Sequence, residues 1–383
     1  MPRSPEVNPS VASIADSLFS ELAARMATFR GESYPFHVGD TWLQPPAGCR
    51  LEDLAVREHP QMYRYPPSYG MADFLEVIAE RMGRRTGLEI STGNILVSAG
   101  ATGAVASIIG AVMSPREEVI VLAPYWPLIT GIIKSFSGVP VTVPFYGRAD
   151  SPESALEIVS AGRTSRTVGL YLNTPNNPTG RVVPRSWLEP LIEWARGQGL
   201  WVLSDEVYED YAYEGAHVYC HALAPQTVFS VHSFAKAFGM AGNRCGFAVG
   251  PAEAIKYARK VNTHMSYGAP AAAQIAGRRT LLGPGDRWAE EARAQYLEIG
   301  RSVAARLGVD PPEGGNYLFM DLSEVLGGAD LSGFLDGCVT QGLLLAPGTM
   351  FGDYPRHARM CFTSAPPEVT FRGVELLAKI LGR

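Results

Sequence analysis

Lys236 stands in Ser233-Phe-Ala-Lys236, just past an apolar run, and Arg244 follows eight residues later. A primary amine at the end of a buried strand can attack a carbonyl when it is unprotonated. Standing alone, such a lysine is ordinarily a solvated charge. Asp205 emerges straight from a second apolar run, in Ser204-Asp-Glu-Val-Tyr208. A carboxylate there is costly to bury unless a cation or a proton accompanies it; capping a helix is its plainer use. Asn173-Thr-Pro-Asn-Asn-Pro-Thr-Gly180 follows a third run. These are turn formers, but eight of them directly after a buried strand suit a loop shaped to line a site. Ser98-Ala-Gly-Ala-Thr-Gly103 joins a fourth run to an apolar helical stretch, Ala104–Met113. Small residues at a helix N-terminus let backbone N–H groups face an anion. The glycine spacing matches neither the dinucleotide nor the P-loop pattern, and the histidines show no H-E-x-x-H spacing, so neither nucleotide nor metal is expected.

The elements that must position these groups are legible as apolar runs. Ile95–Ser98, Val119–Ala123, Val139–Val143, Val168–Asn173, Trp201–Ser204, Val228–Ser233 and Gly246–Val249 read as strands, with helical segments between several of them. Continuous apolar strands between helices predict a mostly parallel sheet covered on both faces, an α/β layer. Ligands in such sheets sit at the C-terminal strand ends, where the polar motifs fall. Helices are expected over 11–29, with Ile14, Leu18, Leu22 and Met26 at helical spacing, over 71–87 with a stop at Gly87, and over 286–307. Short strands at Tyr317–Asp321, Leu343–Ala346 and Met360–Phe362 predict a smaller α+β part. The expected division is an N-terminal helix and arm at 1–45, a large domain at 46–285 and a small domain at 286–383.

Bulk properties narrow the function. The 383 residues are 46% hydrophobic and 19% charged, an ordinary globular composition. A net charge of -5 without a dense basic run argues against nucleic acid and anionic membranes. The five scattered cysteines form no C-x-x-C pair, which fits a reducing compartment. The N-terminus lacks an apolar signal core, and no stretch has the roughly 18 apolar residues of a membrane span, so a cytoplasmic protein is expected.

Taken together, N-T-P-N-N-P-T-G, S-D-E-V-Y, S-F-A-K and G-N-R-C-G resemble the class I/II aminotransferases, the fold-type-I enzymes of pyridoxal 5'-phosphate (PLP). Asn177 lies 28 residues before Asp205, and Asp205 31 before Lys236; the likeness runs in order from about Phe36 to Phe362. The resemblance implies a Schiff base between Lys236 and PLP, with Lys236 then moving the substrate α-proton. It implies that Asp205 pairs with the pyridine nitrogen and that Tyr208 and Asn177 bond the ring oxygen. Tyr125 would stack on the ring, with Trp126 an adjacent rival. Gly100, Ala101, Thr102, Ser233 and Arg244 would hold the phosphate. Arg359, rather than the nearby Arg356, matches the arginine for the substrate α-carboxylate, and Gly39 matches the arm glycine. Tyr65, flanked by Tyr63 and Tyr69, resembles the tyrosine that reaches a partner subunit's phosphate, implying a homodimer with shared sites. No metal is implied.

The sequence departs from its relatives at Asn243 and Ala235, and in the arm, where Asp40 and Trp42 are expected near the substrate. Tyr34, Phe36 and Trp42 suit either an apolar pocket or the core. The leading expectation is transamination between an L-amino acid and a 2-oxo acid. Elimination, cyclisation or oxidation on the same scaffold is the alternative. A sensor module is disfavoured, because about 30 residues before the arm are too few for a DNA-binding domain. No distal arginine for a second substrate carboxylate stands out.

Overall fold

The computed structural model describes residues 6–14 and 29–383. Its main sheet holds seven strands: β1 Ile95–Ser98, β2 Glu118–Ala123, β3 Val139–Pro144, β4 Thr167–Asn173, β5 Trp201–Asp205, β6 Val228–Ser233 and β7 Gly246–Val249. Their order is β1-β7-β6-β5-β4-β2-β3. The run from β3 to β6 is parallel, and β7 is antiparallel to both neighbours.

Apart from the largely exposed edge strand β3, successive residues of the strands enter different cores. Leu170 and Leu172 join Val202 and Val228 on one face, while Tyr171 joins Leu203 and Val231 on the other. Because both faces of these buried strands are dry, they read as unbroken apolar runs. Ten helices of eight residues or more occur among the described residues: α1 Ala72–Thr86, α2 Gly100–Val112, α3 Leu128–Ser135, α4 Pro152–Ala161, α5 Arg185–Gly197, α6 Ala252–Ser266, α7 Ala271–Leu282, α8 Gly285–Leu307, α9 Leu331–Val339 and α10 Pro367–Ile380. α2 and α6 cover one face of the sheet, α4 and α5 the other.

The helix stops follow backbone chemistry. Gly87 takes a left-handed conformation (φ 71°) and donates to the Gly83 carbonyl, ending α1 where the sequence predicts. α8 buries Ala289, Ala292, Tyr296, Ile299, Val303 and Leu307, a stripe at steps of three and four residues. α2 begins at Gly100 rather than Ala104, so the small-residue loop is itself the first helical turn.

A second sheet, β8 Tyr317–Asp321, β9 Ala346–Pro347 and β10 His357–Cys361, has the order β8-β10-β9 and is antiparallel. It shares a core with α8, α10 and Phe36. Two expected strands are corrected here. The Leu343–Ala346 strand reduces to β9, because the backbone of Gly342 and Leu344 is bonded to Tyr34 of the arm (2.8 and 3.0 Å). The third strand starts at His357, so Arg359 lies within it, not before it. A helical turn occupies Pro9–Ala12 and ends at Ser13, so Ile14 is not in the helix expected over 11–29; Leu18, Leu22 and Met26 lie outside the described residues. All five cysteines are buried and unpaired. No helix among the described residues is long and apolar enough to cross a membrane.

Candidate active site

A cavity of about 670 Å³ opens at the C-terminal ends of β4, β5 and β6. The motif loops form its floor, and the arm with β8 and β10 forms the opposite wall. Ten predicted residues line it: Gly39, Ala101, Thr102, Asn177, Asp205, Tyr208, Ser233, Lys236, Arg244 and Arg359.

The anion end is built from backbone. Gly100 has φ +77°, and a Cβ there would lie 2.5 Å from the Arg244 guanidinium. The absence of a side chain therefore lets Arg244 reach the N-terminus of α2, where free N–H groups and the helix dipole already favour an anion. Arg244 is itself left-handed (φ 53°), and its Nη1 donates to the Ala241 carbonyl at 3.0 Å. It pairs with no carboxylate among the described residues, which leaves a guanidinium fork aimed at the cavity. Ser233 caps the turn that carries Lys236.

Strand alternation divides two adjacent acids. Asp205 ends β5 on the cavity side, where its Oδ2 accepts from the Tyr171 hydroxyl at 2.7 Å. Burial pushes its carboxyl up to about 6, against the pull of that hydrogen bond. Glu206 turns to the other side of the sheet, accepting from Ser230 Oγ (2.8 Å) and the Cys220 N–H (3.0 Å), with His217 at 3.1 Å. Burial raises the Glu206 carboxyl, but these partners and His232 outweigh it and hold the group below its ordinary range. The acid with a full set of partners is structural. The one left short of a cation faces the cavity, as a functional group would.

The opposite wall carries the second guanidinium. Arg359 Nη1 donates to Asn177 Oδ1 at 2.8 Å and Nη2 to the His37 carbonyl at 2.6 Å, while its Nε is buried without a partner. The rings of Tyr317 and Phe351 lie 4.4 and 4.8 Å from the guanidinium carbon. His37 lines the cavity next to it, and burial together with the Arg359 charge lowers its imidazole to about 4, so it stays neutral. Lys236 Nζ donates to the Gly39 carbonyl. Tyr208 is fully buried; burial and the adjacent Tyr317 raise its phenol well above 10, so it keeps its proton as a donor.

Three expectations are placed differently. Trp126, not Tyr125, lines the cavity. The Tyr125 backbone is held by the Phe351 carbonyl (3.0 Å), which takes its ring toward Gly352. Asp40 and Trp42 do not line the cavity: Trp42 packs edge-on against Tyr296, and Asp40 accepts from the Thr41 N–H at 2.9 Å. Phe36 belongs to the core. Tyr65 is 85% exposed, away from the cavity, its ring 5.0 Å from Tyr267. Sequence reasoning missed Tyr171, Tyr317 and His37. Tyr171 was readable only as strand filling, and no local pattern marks the other two.

The sequence matches the family aminotransferase class I and II over residues 39–375. The chain belongs to that family. Similar proteins include the aspartate/prephenate aminotransferase of Thermus thermophilus, 31% identical over 84% of each chain. The aspartate aminotransferase of Streptomyces avermitilis is 28% identical over 85% of this chain and 83% of its own. Among solved structures, a Thermus thermophilus aspartate aminotransferase double mutant superposes with a TM-score of 0.89 at 28% identity. It covers 98% of this chain and all of its own. The fold is thus that of the fold-type-I enzymes, and this aminotransferase moves an amino group from an L-amino acid to a 2-oxo acid.

Proposed function

We propose that this aminotransferase works with PLP carried on Lys236, in the cavity described above. The observation that carries the reading is the convergence in one cavity of an amine, a buried acid short of a cation, and two guanidinium groups, Arg244 and Arg359. These fit the cofactor. Gly100, Ala101, Thr102, Ser233 and Arg244 would hold its phosphate; Asp205 would face its ring nitrogen; Tyr208 and Asn177 would donate to its ring oxygen; Trp126 would flank the ring. When bound, the cofactor supplies an electron-withdrawing ring that lets an amino acid release its α-proton.

The protein's part follows from its own groups. Asp205 would find in a cationic ring N–H the partner it lacks, and its carboxyl would return toward the ionised form. Tyr208 enters as a protonated donor. Arg359 receives the substrate α-carboxylate in a two-pronged pair, oriented by Asn177 and the His37 carbonyl. The Lys236 amine then takes and returns the α-proton at short range. Val38, Trp126, Leu128 and Val207 make much of the remaining wall apolar. With His37 neutral, this supports a donor with an uncharged side chain rather than a dicarboxylic one. Exposed Tyr63 and Tyr65 support a homodimer in which Tyr65 reaches the phosphate held by the partner. A cytoplasmic setting suits the unpaired cysteines.

Adding single amino acids to the PLP-loaded protein, without an acceptor, is the test. Conversion of the cofactor's aldehyde-form absorbance to the amine form, with one equivalent of 2-oxo acid released, is the expected result. Continuous release of ammonia or peroxide with the original absorbance restored would overturn transamination. Gly100→Ala is expected to weaken PLP binding about tenfold or more by displacing Arg244, a charge-assisted phosphate contact. Absorbance titration of the cofactor-free protein checks this.

A further inference from the structure

Tyr317 opens β8 and lines the cavity, yet no motif singles it out. Three contacts meet on this side chain. Its hydroxyl lies 2.6 Å from the Tyr208 hydroxyl, with the two rings edge to face at 5.7 Å. The Arg359 guanidinium carbon lies 4.4 Å from its ring centroid. A Cβ on Gly39 would lie 2.1 Å from its hydroxyl, so the arm closes onto Tyr317 only because residue 39 is glycine. The register explains the meeting: Tyr317 pairs with Cys361 and Phe319 with Arg359. Tyr317 and Arg359 are therefore diagonal neighbours on one face of the small sheet. Tyr208, on the loop after β5, crosses from the large sheet to reach the same hydroxyl.

We propose that Tyr317 is a positioning residue joining the two halves of the site: its ring holds Arg359 for the substrate carboxylate, and its hydroxyl aims Tyr208 at the cofactor. The proposal rests on the function proposed above. A cation over an aromatic face is held more firmly when both are desolvated, and Tyr317 is buried. A phenol that accepts a hydrogen bond donates its own proton more strongly. Tyr208 is otherwise faced by Arg359, Cys361 and, 6.0 Å from its ring, the Lys236 amine. None of these donates a hydrogen bond to its oxygen.

The test compares Tyr317→Phe with Tyr317→Leu in the PLP-loaded enzyme. Tyr317→Phe keeps the ring under Arg359 and is expected to leave the amino-acid KM within about twofold while lowering kcat roughly tenfold. Tyr317→Leu removes the ring as well, and its KM should rise about tenfold. In both, the midpoint of the cofactor's absorbance-versus-pH curve should rise by roughly half a unit. Weaker donation from Tyr208 leaves more negative charge on the ring oxygen to hold the neighbouring proton. An unmoved midpoint and unchanged kcat in Tyr317→Phe would overturn the proposal, as would equal KM changes in the two variants. A merely structural tyrosine would lower the melting temperature without splitting KM from kcat. If the wild type itself binds no PLP, the proposed function falls first. If the wild type transaminates and Tyr317→Phe matches it, only the role of Tyr317 falls.

Discussion

Lys236→Ala is expected to lower kcat for transamination by at least about 10⁴-fold, the upper range for a lost general acid–base group, with loss of covalent attachment added. The other cavity side chains are poor substitutes: His37, lowered to about 4, is a weak base. Asp205, which the proposed function assigns to the ring nitrogen, is the one acid among the described cavity-lining residues. Tyr208 holds its proton too tightly to serve as a base. The variant should still fold, because the Lys236 side chain contributes a single hydrogen bond, to the Gly39 carbonyl. It should also retain PLP weakly, through Arg244 and the α2 N-terminus. Borohydride reduction followed by mass spectrometry gives a direct readout: the wild type should gain the cofactor's mass on the peptide bearing Lys236, and the variant should not. Normal turnover by the variant would sink the mechanism.

Asp205→Asn should separate function from stability. Asparagine cannot hold the ring nitrogen's proton, and kcat should fall roughly a thousandfold, as when a preorganised charge is removed from an active site. Stability of the cofactor-free protein should move the other way. Burial raises the Asp205 carboxyl from 3.8 to about 6. The folded state therefore binds the proton more tightly than the unfolded one. Wild-type stability then declines as the pH rises from about 4 to 6, and above 6 the ionised group costs about 3 kcal/mol, two pKa units at 1.36 kcal/mol each. The asparagine variant carries no such charge, and its amide oxygen can still accept from Tyr171. Its melting temperature should match the wild type near pH 4 and exceed it at pH 7. Equal melting curves at pH 7 would show that Asp205 is not desolvated as the structure places it. On the proposed function, the Asp205 charge is an instance of stability given up for activity.

All seven large-sheet strands were legible to within a residue at either end; six of them are buried, and a strand buried on both faces writes a continuous apolar run into the chain. The C-terminal stop of α1 was legible because Gly87 is a local conformational signal. The motif residues on the floor were legible for a related reason: each follows directly from the end of a strand, so that Asp205, Asn177 and Lys236 converge once the strands lie parallel. Which of two neighbours faces the cavity is a different matter. Trp126 rather than Tyr125 lines it because the Tyr125 backbone is bonded to Phe351, more than two hundred residues away in sequence. Trp42 leaves the site for Tyr296 by the same kind of long-range packing.

By itself, then, the sequence determined the α/β layer, the order of its strands along the chain and the chemistry available at their ends. These depend on hydrophobic period and backbone propensity, which act within a few residues. Only the tertiary structure decided how that chemistry is arranged. It withheld a cation from Asp205 while giving Glu206 a full set of partners. It set Arg359 between Tyr317 and Phe351, and brought Tyr317 to Tyr208. Those outcomes depend on sheet register and on side chains packed from opposite ends of the chain, and no local pattern encodes either.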